Sequence, residues 1–133
     1  MNNQPSCEPG GVSAEIVSGN QFIRVVHLHK KGDFVQGHTH NFDHNTVVFK
    51  GSINIKQNGE KIGQDFYAPG HPNIGKHSSH AFIDKNIEHG FTALEDDVIV
   101  WCMYSHRDAQ GEVVQEFTGW KDVVEYKKID PYR

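Results

Sequence analysis

An all-β barrel or sandwich is the fold this sequence predicts, and three observations carry the prediction. From Gln21 onward, short runs rich in β-branched and aromatic residues alternate with turn residues. Asn58-Gly59 stands between two such runs, the dipeptide favoured by a two-residue type I′ hairpin because both central residues need positive φ. No window keeps apolar residues at i, i+3, i+4 and i+7 for more than about two helical turns. The runs are Phe22–His29, Phe34–Phe42, Asn45–Lys50, Ile53–Gln57, Lys61–Tyr67, Ala81–Ile83, Gly90–Leu94, Val98–His106 and Val113–Thr118. Roughly eight strands at short, even spacing make an antiparallel sandwich, jelly roll or closed barrel. Lys30–Asp33, Gly51, Glu95–Asp97 and Ala109–Gly111 read as turns, and Ala68–Ser79, with two prolines and two glycines, as a long loop. Residues 1–20 read as an extended or partly disordered lead-in, 21–120 as the barrel domain, and 121–133 as a tail in which Lys121–Ile129 is the candidate for a short helix.

Composition narrows the function. A chain of 133 residues, 36% hydrophobic, has the size of one domain. Its 13 basic and 17 acidic residues leave a net charge of −4, so there is no basic surplus to neutralise phosphates and nucleic acid is not an expected partner. No apolar run approaches the roughly 18 residues of a membrane span, and the first twenty residues lack a secretory-signal pattern. The expectation is a soluble cytoplasmic protein with no membrane partner. Cys7 and Cys102 do not resemble a disulfide framework, which fits a reducing compartment.

Histidine is the informative residue. There are ten, grouped as His27/His29, His38/His40/His44 and His71/His77/His80, with His89 and His106 apart. In Gly32-Asp-Phe-Val-Gln-Gly-His38-Thr-His40-Asn-Phe-Asp-His44, the two-residue strand period puts His38 and His40 on one face. His44 opens the next run, and a hairpin there can fold it back toward them. Three or four convergent imidazoles suit iron, nickel, copper, zinc or manganese.

At these positions the sequence resembles the cupin superfamily, whose first motif runs G-x5-H-x-H-x3-4-E-x6-G. Gly32, His38, His40, His44 and Gly51 fall at its spacings, with His44 where most members carry glutamate. The second motif, G-x5-P-x-G-x2-H-x3-N, is represented more loosely by residues 83–93 around His89, where Asp84, Asn86 and Ala93 replace its proline, glycine and asparagine. An extended run follows His89; its rival for the motif histidine, His77, lies in the long loop. The resemblance covers about residues 20–107 and implies a small double-stranded β-helix barrel, commonly a homodimer. It also implies a divalent transition metal (Fe, Mn, Ni or Zn) inside, held by His38, His40, His44 and His89. Four neutral imidazoles would leave a dication its full charge, favouring anionic ligands.

The remaining candidates each carry two readings. His27 and His29 are pocket walls or a sheet's polar face, and His71, His77 and His80 lie in or beside a loop that is either a lid or an exposed connection. Tyr104 and His106 point at the site while Trp101 and Met103 pack in the core, or the faces are reversed. Arg24 pairs a ligand carboxylate or is solvated. The expected function is a metal-dependent enzyme of dioxygenase, lyase or isomerase type acting on a small polar or anionic molecule. The alternatives are a non-catalytic metal-anchored module that binds or senses a small ligand, and an assembly component with adventitious metal. Val47, Phe49, Trp101 and Trp120 supply more apolar surface than one small barrel hides, which points to a homodimer.

Overall fold

The period-two alternation of the sequence becomes alternation of burial. In the computed structural model, which describes residues 7–8, 11–38, 42–61, 65–114 and 125–126, all regular structure is strand. The strands are β1 (Cys7–Glu8), β2 (Gly11–Ser18), β3 (Gln21–Leu28), β4 (Phe34–His38), β5 (His44–Lys50) and β6 (Ser52–Gln57). They continue as β7 (Glu60–Lys61), β8 (Phe66–Tyr67), β9 (His80–Ile83), β10 (His89–Ala93), β11 (Val98–Ser105) and β12 (Glu125–Tyr126). Two sheets face each other, one in the order β1-β4-β10-β6-β7 with β8 also on β6, the other in the order β12-β2-β3-β11-β5-β9. All pairs are antiparallel except β12 with β2.

In β3, Phe22, Arg24, Val26 and Leu28 are buried while Ile23, Val25 and His27 are half-buried on the other side. Register carries this phase across the second sheet: Leu28 faces Val98, Val26 faces Val100, Val100 faces Val48, and Cys102 faces both Arg24 and Thr46. Val35, Ile53, Ile55, Phe91 and Ala93 of the first sheet close the core against Val26, Leu28, Val48, Ile83, Val98 and Val100. Each such side chain, fully buried, stabilises by about 1.5–3 kcal/mol before its entropy cost. Val98, Val100 and Tyr104 therefore point inward, whereas Trp101 and Met103 lie half-buried on the outer face. Tyr104 thus faces the interior, but Trp101 and Met103 do not pack in the core as the first assignment had them, because the outer face of this sheet is itself apolar.

Other expectations shift in detail. Gly11–Ser18, read as lead-in, is a full strand against β3. Within the tail Glu125–Tyr126 is strand rather than helix, pairing in parallel with Ala14 and Glu15; the rest of 115–133, Trp120 included, lies outside the described residues. Of the run 61–67, Lys61 ends β7 and Phe66–Tyr67 form β8, while 62–64 lie outside the described residues; Val113 forms an isolated bridge to Arg107. The Asn58-Gly59 turn is as expected, with φ of 52° and 82°.

Gly51 shows why the motif spacing ends on glycine. Its φ is 84°, and a Cβ there would stand 2.7 Å from Val98 Cγ2 and 3.4 Å from the Val98 Cα. Its carbonyl also accepts the Ala68 amide at 2.9 Å, tying the long loop to the β5–β6 turn. Gly51→Ala combines a left-handed backbone with overpacking and should cost about 2–4 kcal/mol. Urea unfolding should show a lower midpoint at unchanged slope.

Candidate functional site

At the apolar end of the barrel the inner face is valine, leucine and isoleucine; toward the other end the same strands turn polar. Arg24, Thr46, His44 and His89 are all buried there. His44 opens β5 and His89 opens β10, each 3% exposed. Their ring centres lie 4.7 Å apart at 46°. Nδ1 of His89 donates to the Ile87 carbonyl at 2.8 Å, so Nε2 carries the lone pair of the ring. Burial pushes the His89 pKa below its ordinary 6.5, against the smaller opposing effects of that carbonyl and of Glu88. The ring is thus held neutral. Nε2 of His44 lies 3.4 Å from Thr46 Oγ1, one step along the same face.

His38 closes β4, its Cα opposite that of His89. The β4–β10 ladder shifts register just there: Phe91 pairs with Val35 and His89 with His38, so two residues of β10 span three of β4. A β-bulge of this kind bends a strand and changes its phase by one residue. The fold therefore brings the backbone of His38 to the buried His44–His89 pair. The side chain of His38 and all of His40 lie outside the described residues, and among the described residues no three His, Cys, Asp or Glu side chains converge to hold a metal ion.

The rival His77 is elsewhere. His71 and His77 flank the Tyr67 ring at 5.0 and 4.9 Å. His71 Nε2 donates to Glu95 Oε2 at 2.7 Å, and the same oxygen accepts from Ser52 Oγ at 2.5 Å. The Ser52 bond, helped by His71, holds the Glu95 carboxyl below its ordinary value. These contacts clip the long loop to the Gly51 end, opposite His44, and the lid reading does not hold. His80 is exposed on β9. The His27 and His29 rings lie 4.0 Å apart, tilted by 42°, on the outer side, where His27 Nε2 donates to Asp97 at 2.6 Å and Lys50 joins the same carboxylate. They form a polar surface cluster and not a pocket wall.

Arg24 departs from both of its readings. It is 3% exposed and its Nε donates at 3.2 Å to Glu15, itself fully buried on β2. Glu15 lies in the stretch 1–20 that reads in the sequence as a lead-in and not as a strand. The signal was the apolar run Val12 to Val17, hidden by a bulge between Val12 and Ala14 that buries Ala14 and Glu15 in succession. Cys102, in the same layer, is a free thiol that burial pushes up to about 11, so it is inert as a nucleophile at neutral pH.

Comparison with solved structures agrees with this architecture. KdgF from Halomonas sp. matches with 20% identity and a TM-score of 0.52 over 70% of this chain and 74% of its own. An RmlC-like cupin family protein with a double-stranded β-helix fold from Methanocaldococcus jannaschii matches with 12% identity and a TM-score of 0.52, over 78% and 82%. A cupin-2 domain containing protein from Shewanella frigidimarina matches with 16% identity and a TM-score of 0.50, over 75% and 82%. No protein-family model matches the chain, and comparison with curated proteins gave no match. At such identities the likeness is one of fold, and the chain has the double-stranded β-helix fold of the cupin superfamily. Among the described residues no helix is long and apolar enough to cross a membrane.

The buried pair gives a direct test of this layer. Arg24→Met leaves Glu15 charged in the interior and should destabilise by about 3–5 kcal/mol, whereas Glu15→Leu/Arg24→Met should recover most of that loss. Equal denaturation midpoints for the single and double variants would show that the pair is not an energetic unit.

Proposed function

We propose that the chain is a cupin-type protein holding a divalent transition metal (Fe, Mn, Ni or Zn) through His38, His40, His44 and His89. On this reading it is a metal-dependent enzyme for a small polar or anionic molecule. The observation that supports it is the pair of buried imidazoles His44 and His89, 4.7 Å apart, facing the end of the strand that carries His38. The donors fit such an ion. A ligating imidazole must be neutral and fixed in tautomer, and at His89 burial provides the first and the Ile87 carbonyl the second. When bound, the ion would supply Lewis-acid polarisation of an oxyanionic ligand, undiminished by any carboxylate in the set.

The chain's own residues set limits on the chemistry. Phe91, Val48 and Val35 close the inner side against water, and Thr46 flanks His44. Glu15 is engaged by Arg24, and the Cys102 thiol and Tyr104 phenol are both raised by burial, away from neutrality. Proton transfer by these groups is therefore disfavoured. That observation favours, as a second reading, a metal-anchored module that binds or senses its ligand without turnover. Product formation from a bound anion by the metal-loaded protein separates the two.

Metal analysis tests the ligand set. Each of His38→Ala, His40→Ala, His44→Ala and His89→Ala should lower metal content severely, while His71→Ala and His77→Ala retain it. His44→Glu should keep the metal and weaken anion binding, because it removes one unit of site charge. Acid should also strip the metal. Folding lowers the His89 proton affinity, so metal-free stability is flat above 6.5 and falls as pH drops from there through the folded-state value. Full metal retention in His38→Ala/His40→Ala protein would dismiss the site.

We also infer a homodimer through the outer face of the second sheet. Trp101 stacks on Phe49 at 4.3 Å, Phe49 and Phe82 are each 56% exposed, and Val47 and Met103 lie beside them half-buried. Apolar surface of this kind marks an interaction face. Sedimentation at micromolar concentration should give a dimer, and Phe49→Lys/Phe82→Lys a monomer. A wild-type protein of monomer mass would refute it.

A further inference from the structure

The outer face of the first sheet, on the side away from the core, carries a hollow of about 410 Å³. Period-two alternation puts it there. Val35, Ile55 and Phe91 point into the core, so their neighbours Phe34 on β4, Lys56 on β6 and Gly90 and Thr92 on β10 face outward. These residues line the hollow together with Gly59 of the turn between β6 and β7 and with Glu88, just ahead of β10. The volume falls in the range of small-molecule sites.

Its shape follows from a glycine at an outward position of the middle strand. Register sets Gly90 opposite Lys56 and Thr92 opposite Phe34. With neighbouring strands about 4.8 Å apart, Phe34 and Lys56 rise about 10 Å from one another on either side of a floor that has no side chain. One wall is apolar. Phe34 is 41% exposed although it stands in a strand, and it takes no part in the Phe49 and Phe82 surface, which belongs to the other sheet. The opposite wall carries both signs of charge, the Lys56 ammonium and the Glu88 carboxylate, each exposed and neither in an ion pair among the described residues. Lys61, opposite Lys56 in register, is already taken by Asp65 at 2.7 Å. The Glu88 carbonyl accepts the Asn58 amide at 2.9 Å, which ties the turn to the segment that holds the carboxylate.

We propose that this hollow binds a free aromatic α-amino acid, its ring over Gly90 and against Phe34, its carboxylate on Lys56 Nζ and its ammonium on the Glu88 carboxylate. Charge sets the class. An anion would satisfy Lys56 and be repelled by Glu88, a cation the reverse, whereas a zwitterion satisfies both. An aromatic amino acid also keeps its ring and its two charges at opposite ends, as the hollow keeps Phe34 apart from Lys56 and Glu88, and a second ring beside Phe34 gains an offset or edge-on contact. The site does not depend on the metal reading, since none of its residues is one of the four histidines.

The test uses the full chain, nitrogen-labelled and treated with chelator so that no amino acid is held through a metal ion, with L-phenylalanine as probe and amide NMR shifts as readout. Phenylalanine should bind at millimolar concentration and move the amides of Gly59, Gly90 and Thr92. N-acetylphenylalanine, which lacks the ammonium, and phenylalanine amide, which lacks the carboxylate, should each bind about two- to fivefold more weakly. Alanine, which lacks the ring, should bind about tenfold more weakly or less. Lys56→Gln should weaken phenylalanine but not phenylalanine amide, and Glu88→Gln should weaken phenylalanine but not N-acetylphenylalanine, since each derivative has already lost the matching charge. Phe34→Ala should weaken phenylalanine about five- to tenfold. All three substitutions alter exposed side chains, so the circular dichroism spectrum should stay that of the wild type. Absence of saturable binding to the wild type would overturn the proposal. So would shifts confined to other parts of the barrel, or equal affinity for phenylalanine and both derivatives.

Discussion

The ladder of β3, β11 and β5, whose β11–β5 side shifts register once between Ile99 and Val100, is the constraint on which the rest of the barrel depends. Because side chains alternate with a period of two, one register fixes three strands at once: Leu28 with Val98, Val26 with Val100 and Val48, Arg24 with Cys102 and Thr46, Phe22 with Tyr104. A slip of one residue would turn Val98, Val100 and Tyr104 to solvent and Trp101 and Met103 to the core. The apolar pairs make that slip costly. In doing so they also hold the polar pairs at the other end in place, although those pairs contribute little burial energy of their own.

The interior is thus divided along its length. Where Gly51 crosses close to Val98, the core is aliphatic and the loops are clipped down by Glu95, Ser52 and His71. Where β5 and β10 begin, the strands bury His44, His89, Thr46 and the Arg24–Glu15 pair. An apolar filling of the same volume would be as stable or more so. Polar groups kept inside a small barrel at such cost are the departures from good packing that functional sites show.

Most of the scaffold was legible in the sequence because its signals are local. Asn58-Gly59, Gly51, and the alternation of Gln21–Leu28 and Val98–Ser105 each report a backbone state that neighbouring residues alone dictate. The spacing from Gly32 to Gly51 carried the fold class. What was lost lay at irregularities. The bulge in β2 broke the alternation that would have marked a strand and so concealed Glu15 and the state of Arg24. The β4–β10 register shifts between His89 and Phe91, and a simple count of two from Val35 does not see it. The choice between a lid and an exposed connection for the long loop stayed open because its anchor, Glu95, is distant in sequence.

The order of strands bears on how the chain reaches this state. Leu28 must find Val98 and Gln21 must find Ser105, and β10 joins β4 on one side and β6 on the other. Few of the core pairings are between sequence neighbours, so loop-closure entropy is spent before most of the burial is gained. Barrels of this kind fold on a scale of about milliseconds to seconds, far more slowly than helical bundles of equal length. β4, which ends at His38, pairs with β10 of His89 in one sheet while His44 opens a strand of the other, so His44 and His89 meet only when the two sheets close. Any ligand that needs both binds the finished barrel and not its precursors, so it slows unfolding while leaving the folding rate nearly unchanged.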